Sequence, residues 1–280
     1  MGMTQAQATE VQAALRRKHH ALGTGGPNRD GVDGDYGPTT HRAALAAIAA
    51  GPALALAPAP APAAGRALTE ADYRAAAAKL TQAAGRPVTL AHVMTIKKIE
   101  SNGAWFSDIR ADILSADGDP DGGFIHGDMP KILFEAHKFS AKTGGRFNAS
   151  HPNLSSPRWN KALYVGGQGE YARLAKAMAL DEQAALESAS VGLFQVLGEH
   201  WRALGYASVH AFWEANKASE GGQLDAFIRY VVVNRLADEL AAGGKSAASW
   251  VPFVERYNGT GYAANAYHTK AAAEFARLSA

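Results

Sequence analysis

The stretch Thr89-Leu-Ala-His-Val-Met-Thr-Ile-Lys-Lys-Ile-Glu100-Ser101-Asn-Gly103 sets the reading of the chain. Thr89 suits the cap of a helix over Leu90 to Ser101, its side-chain oxygen accepting an N–H that the first turn leaves unpaired. Val93, Ile96, Lys97 and Glu100 fall at i, i+3, i+4 and i+7 and so share one side, which Met94 and Ile99 broaden. A carboxylic acid therefore stands at the border of an apolar stripe, near a helix C-terminus. The helix dipole there opposes a negative charge, and apolar neighbours oppose it too. Both raise the pKa of Glu100 if that end is partly buried.

Outward from this helix the 3.6-residue period continues. Leu68-Thr69-Glu70 introduces a helix to about Ala84, with Thr69 and Asp72 spaced as a capping box. Further helices are expected at 130 to 142, 168 to 180, 181 to 188, 199 to 204, 209 to 216, 222 to 242, 246 to 257 and 263 to 278. Between Gly103 and Met129 the chain is rich in Asp and Gly, which suits a small hairpin or a loop. The expected fold class is mainly α with a minor β-hairpin.

Upstream, Ala53 to Ala64 reads Ala-Leu-Ala-Leu-Ala-Pro-Ala-Pro-Ala-Pro-Ala-Ala. Its alternating prolines remove backbone donors and favour an extended polyproline conformation, so the segment reads as a semi-rigid linker. Before it, Val11, Ala14, Leu15 and Leu22 make a helical pattern, and Asp33-Gly-Asp-Tyr-Gly-Pro-Thr-Thr40 makes a turn whose Pro38 can open a second helix. So small a core is a binding module rather than an enzyme. The expected organisation is a small helical binding module at 1–52, a linker at 53–66 and a large helical domain at 67–280.

Composition excludes several classes. The chain has 280 residues, 47% of them hydrophobic, and a formal charge of +2 without any Lys/Arg-rich run. This is a globular protein with no footprint for nucleic acid, though a mildly basic surface suits an anionic polymer. It has no cysteine, hence neither disulfides nor thiolate metal sites. Its ten His residues show no His-Glu-x-x-His, so no metal or other cofactor is expected. No stretch is long and apolar enough to span a membrane, and the start lacks the pattern of a signal peptide.

The segment from about residue 5 to 50 resembles the peptidoglycan-binding domain of cell-wall hydrolases, which implies a three-helix unit gripping the wall, with Asp35 and Tyr36 as contact candidates. Three later motifs come in one order: Glu100-Ser101, Ser190-Val-Gly-Leu-Phe-Gln-Val196 and Arg256-Tyr-Asn-Gly-Thr-Gly-Tyr262. Together they resemble the lysozyme-like superfamily, in its goose-type and lytic transglycosylase branches. The chain departs from these in Phe194, where Met is usual, and in the roughly ninety residues between the first two motifs. Ile99 to Gly103, Pro130-Lys-Ile-Leu-Phe-Glu-Ala-His137 and Ala189 to Gln195 resemble the N-acetylmuramidase family of modular phage endolysins more closely.

The resemblance implies cleavage of peptidoglycan between N-acetylmuramic acid and N-acetylglucosamine, with Glu100 protonating the leaving oxygen as general acid. A second carboxylate is not singled out among Asp108, Asp112, Asp117, Asp119, Asp121 and Asp128. A lytic transglycosylase, forming 1,6-anhydro ends by attack of the sugar's own C6 hydroxyl, is therefore the alternative. A non-catalytic wall-binding or virion structural protein is another.

Gln195 and Asn258 suit acetamido and hydroxyl groups, because side-chain amides both donate and accept. Tyr257 either stacks on a sugar or packs, and Ser101 either lines the cleft or bonds back to its own helix. Glu135 and His137, about 200° apart on a helix, do not chelate together. They read as a hydrogen-bonded structural pair, with sugar contact by Glu135 as the second reading. The partner is peptidoglycan, with no nucleic acid and no membrane insertion, and the chain is expected to be a monomer. It would be made in a host cytoplasm and reach the periplasmic wall through a membrane lesion.

Overall fold

The computed structural model describes residues 67–101, 122–126, 129–167 and 169–280, together with Gln12. Apart from Gln12, the expected binding module with Asp35 and Tyr36 lies outside these residues, as do the linker and the six candidate aspartates. In chain order come helices α1 (Glu70–Ala84) and α2 (Leu90–Ser101), then strands β1 (Phe124–His126), β2 (Met129–Pro130) and β3 (Ile132–Phe134). Helices α3 (Ala136–Lys142), α4 (Gly169–Leu180) and α5 (Glu182–Glu187) lead to strands β4 (Ala189–Val191) and β5 (Val196–Leu197). Helices α6 (Val209–Ala218), α7 (Glu220–Val233), α8 (Ala237–Ala242), α9 (Ala247–Asn258) and α10 (Tyr267–Leu278) complete the chain.

The fold is mainly helical, as expected, and the hairpin is present. Strands β1 and β2 pair antiparallel, Phe124 with Pro130 and His126 with Met129. A second sheet, in the order β3-β4-β5, was not anticipated. Among the described residues no helix is long and apolar enough to cross a membrane.

Four expected boundaries are corrected. The helix placed over 130 to 142 begins only at Ala136, because the preceding main chain finds partners outside a helix. The Lys131 N–H donates to the Gly123 carbonyl at 2.7 Å and the Glu135 N–H to that of Ser188 at 2.8 Å. Ile132 and Phe134 are buried and Leu133 less so, the period of two that marks a strand. The helix placed over 222 to 242 breaks after Val233. Arg235 adopts a left-handed φ of 52° there. The Leu236 N–H turns back to Val231 and that of Arg235 to Val232, a Schellman stop without its usual glycine. The helix placed over 199 to 204 shrinks to a 3-10 turn at Gly198–His200, and the last helix starts at Tyr267 rather than Ala263.

The described chain forms two compact units. The first holds residues 132–190 and 197–214 and is centred on Phe134, Phe139, Leu174, Leu186, Phe212 and Trp213, all buried. The Trp213 indole donates to the Leu186 carbonyl at 3.1 Å, so its polar edge is satisfied inside the core. Glu170, fully buried, accepts from the Phe134 N–H at 3.0 Å and from Arg173 at 2.7 Å. Its other oxygen accepts from the Val165 and Gly166 N–H groups. A charge so fully hydrogen-bonded can stand in an interior that would otherwise reject it.

The second unit holds the described residues from 67 to 131, with 191–196 and 215–280. Thr69 and Asp72 form the expected capping box of α1. At the start of α2 the His92 N–H donates to the Thr89 carbonyl rather than to the side-chain oxygen expected to cap it, and His92 Nδ1 accepts from the Thr89 N–H at 2.9 Å. Helix α10 packs on α9 and α2, setting Phe275 against His92 and Trp250. Leu80, Val93, Ile96, Phe227, Trp250 and Phe253 fill the core between these helices. Each such side chain contributes about 2 kcal/mol by leaving water, which fixes the ends of α2 and α9.

Candidate active site

In the second unit the last turn of α2 and the end of α9 meet at one carboxyl, and the loop joining β4 to β5 is tied to the end of α9. Glu100, only 7% exposed, occupies that turn of α2. Asn258, the last residue of α9, donates from Nδ2 to Glu100 Oε1 at 2.8 Å. Burial pushes the Glu100 carboxyl up from 4.5 to about 7, and the Asn258 bond, which favours the carboxylate, pulls the other way. Asn258 Oδ1 is buried with no hydrogen-bond partner among the described residues.

Tyr257 precedes Asn258 and anchors the helix end. Its hydroxyl donates to the Phe194 carbonyl at 2.6 Å, and its ring stacks on Phe253 at 5.2 Å between centroids. Tyr230 and Phe227 meet it edge-on. Burial, followed by the Glu100 charge, holds the Tyr257 hydroxyl well above the ordinary tyrosine range, so it stays a neutral donor. Phe194 is fully buried and stacks on Phe227 at 4.2 Å. The aromatic residue standing where the resemblance expects Met is thus a core element.

The loop from Gly192 to Gln195 is held by side chains that sequence reasoning did not single out. Gly192 has φ 77°, and a Cβ there would lie 2.5 Å from the Gln223 side chain. Gln223, buried in α7, accepts from the Leu193 N–H at 2.8 Å and donates to the Asn216 carbonyl at 3.0 Å. Gln195 takes a left-handed φ of 48°, and its amide nitrogen donates to the carbonyls of Gly192 at 2.8 Å and Lys131 at 3.3 Å. That donor is engaged with the main chain of its own loop.

Ser101, also buried, donates to the Lys97 carbonyl at 2.7 Å, the back-bond of a helix-end hydroxyl. Lys131 brings its ammonium to the Ser101 carbonyl at 2.9 Å, placing a cation at the negative end of α2. Glu220, 3% exposed, accepts from the Gly123 N–H at 2.7 Å and the Leu68 N–H at 3.1 Å. Lys131 lies inside the Pro130 to His137 motif, and that was its only sequence signal. Gln223 and Glu220 had none, being polar residues of an amphipathic helix.

Glu135 belongs to the other unit. It occupies the N-cap position of α3, where it accepts from the Tyr164 hydroxyl and lies 3.2 Å from His137 Nδ1. The expected 200° separation does not apply, since the helix starts one residue later and the two side chains touch. Among the described residues no group of three or more His, Asp or Glu is placed to hold a metal ion.

The site is thus a buried carboxyl, pushed up by its surroundings, beside a side-chain amide on a mainly helical fold. The chain belongs to the N-acetylmuramidase family, whose model matches residues 89–279. It is similar to the Burkholderia AP3 phage endolysin, known from a crystal structure. The two are 33% identical, covering 100% of this chain and 98% of that one, with a TM-score of 0.58. No curated protein matches the chain. The enzyme is a peptidoglycan-degrading muramidase of the endolysin kind, acting on the cell wall.

Proposed function

We propose that Glu100 is the general acid of this muramidase and that the bond it opens joins N-acetylmuramic acid to N-acetylglucosamine. The observation that carries the reading is a carboxyl 7% exposed with a pKa of about 7. Leaving-group oxygens of glycosides depart only when protonated, while positive charge grows on the sugar ring. An ordinary surface Glu is ionised at neutral pH and cannot give that proton, whereas Glu100 holds it in a large fraction of molecules. Asn258 orients the carboxyl through Nδ2, and its unpartnered Oδ1 suits a sugar hydroxyl or acetamido N–H. Gln195, Tyr257 and Ser101 act as positioning residues through the main-chain bonds they make.

The second reading is transglycosylation. It needs no nucleophilic carboxylate, only Glu100 and the sugar's own hydroxyl. In that route Glu100 protonates the leaving oxygen and then takes the proton of the sugar's C6 hydroxyl, which closes a 1,6-anhydro ring. Hydrolysis instead adds water to the new end. Glu100→Gln, with its fold checked by circular dichroism, should fail to lyse outer-membrane-stripped cells. The masses of the muropeptides released by wild type separate the two routes.

Around this centre we assign residues 1–52 to wall binding through Asp35 and Tyr36, residues 53–66 to a linker and residues 67–280 to catalysis. The protein acts as a monomer without nucleic acid or membrane insertion. It reaches the periplasmic wall from the host cytoplasm through a membrane lesion.

A further inference from the structure

The first unit carries an aromatic shelf that the Glu100 chemistry does not use. Trp159 is 53% exposed, the most exposed of the large hydrophobic side chains described. Its ring lies 6.2 Å from that of Tyr164, tilted by 43°. About half of Trp159 is open to solvent, and most of an indole's surface is apolar.

The backing is rigid. The Tyr164 hydroxyl donates to Glu135, and the Arg173 guanidinium sits over the Tyr164 ring at 5.4 Å. Arg173 is itself buried and fixed by Glu170 at 2.7 Å. Arg158 and Lys161 flank Trp159 and are exposed, so the shelf has a cationic rim.

We infer that this shelf binds the peptidoglycan strand at a point of its own, Trp159 stacking on the C–H face of a hexosamine ring. Arg158 and Lys161 then face the free carboxylates of the stem peptides. The substrate chemistry selects this occupant, since a peptidoglycan strand offers apolar sugar faces and acidic groups side by side. The inference rests on the muramidase reading but requires none of the residues assigned to proton transfer.

Its test uses the full chain and two substrates: soluble peptide-bearing glycan fragments, and the same fragments stripped of peptide by an amidase. Trp159→Ala should raise KM on both by about three- to tenfold with kcat unchanged, the range expected for one aromatic contact. Trp159→Phe should restore most of the loss. Arg158→Ala with Lys161→Ala should raise KM more on the peptide-bearing fragments than on the stripped ones, which keep only the lactyl carboxylate that the amidase frees. An unchanged KM in Trp159→Ala overturns the proposal. So does a change of oligomeric state in that variant at unchanged KM, which would make the shelf a contact between copies. Failure of Glu100→Gln to lose activity would instead sink the general-acid reading and leave the shelf standing.

Discussion

Asn258 Nδ2 lies 2.8 Å from Glu100 Oε1, a bond spanning 158 positions of sequence. It ties the end of α9 to the end of α2 and sets the protonation of the one carboxyl at the centre of the site. Burial raises the pKa of Glu100 and this bond lowers it, so the value near 7 is a balance of the two.

Removing the amide shifts that balance in a known direction. In Asn258→Ala the carboxylate loses its donor, so the pKa of Glu100 rises further. A general acid works below its pKa. The alkaline limb of the pH–rate profile should therefore move to higher pH even as kcat falls from poorer orientation. A limb that stays in place would detach Asn258 from the proton.

Glu100 also couples folding to pH. Its folded pKa of about 7 lies above the ordinary 4.5, so the protonated form is the one that folding favours. Stability from this group is full below about pH 4.5 and is lost as pH rises through 7, by roughly 3 kcal/mol in all. Glu100→Gln keeps the volume without the charge. It should match wild type near pH 4.5 and exceed it in thermal stability at pH 8, as read by differential scanning calorimetry.

The loop clamp gives a prediction on stability. Gln223→Ala leaves the buried Leu193 N–H unpaired and should cost about 2 kcal/mol in urea unfolding. Gly192→Ala meets both a left-handed φ and the Gln223 side chain, and it should cost at least about 1 kcal/mol.

Tyr257→Phe separates packing from chemistry. The ring stack on Phe253 survives and the bond to the Phe194 carbonyl is lost, at a cost of about 1 kcal/mol. Unfolding should register that loss while kcat stays within about threefold of wild type. A collapse of kcat would give the hydroxyl a role in the reaction itself.

Helix periodicity and caps were legible where local chemistry decides them. Thr69 with Asp72 caps α1 as the spacing suggests. Glu100 was legible as an acid on an apolar stripe, and the Arg256 to Tyr262 motif drew attention to Asn258, which bonds to it. What the chain hid was long-range. The strand at Ile132–Phe134 follows from main-chain partners at Gly123 and Ser188, which no local pattern reveals. The stop at Arg235 uses a residue that rarely adopts φ of 52°. Gln223 and Glu220 look like ordinary helix polar residues until the loops they hold are in place.

The most direct measurement is the muropeptide mass profile from purified sacculi treated with wild type and Glu100→Gln side by side, each with verified fold. The account predicts glycan cleavage products from wild type, with new ends at N-acetylmuramic acid, and none above background from Glu100→Gln. Undiminished release of the same products by the variant would contradict it.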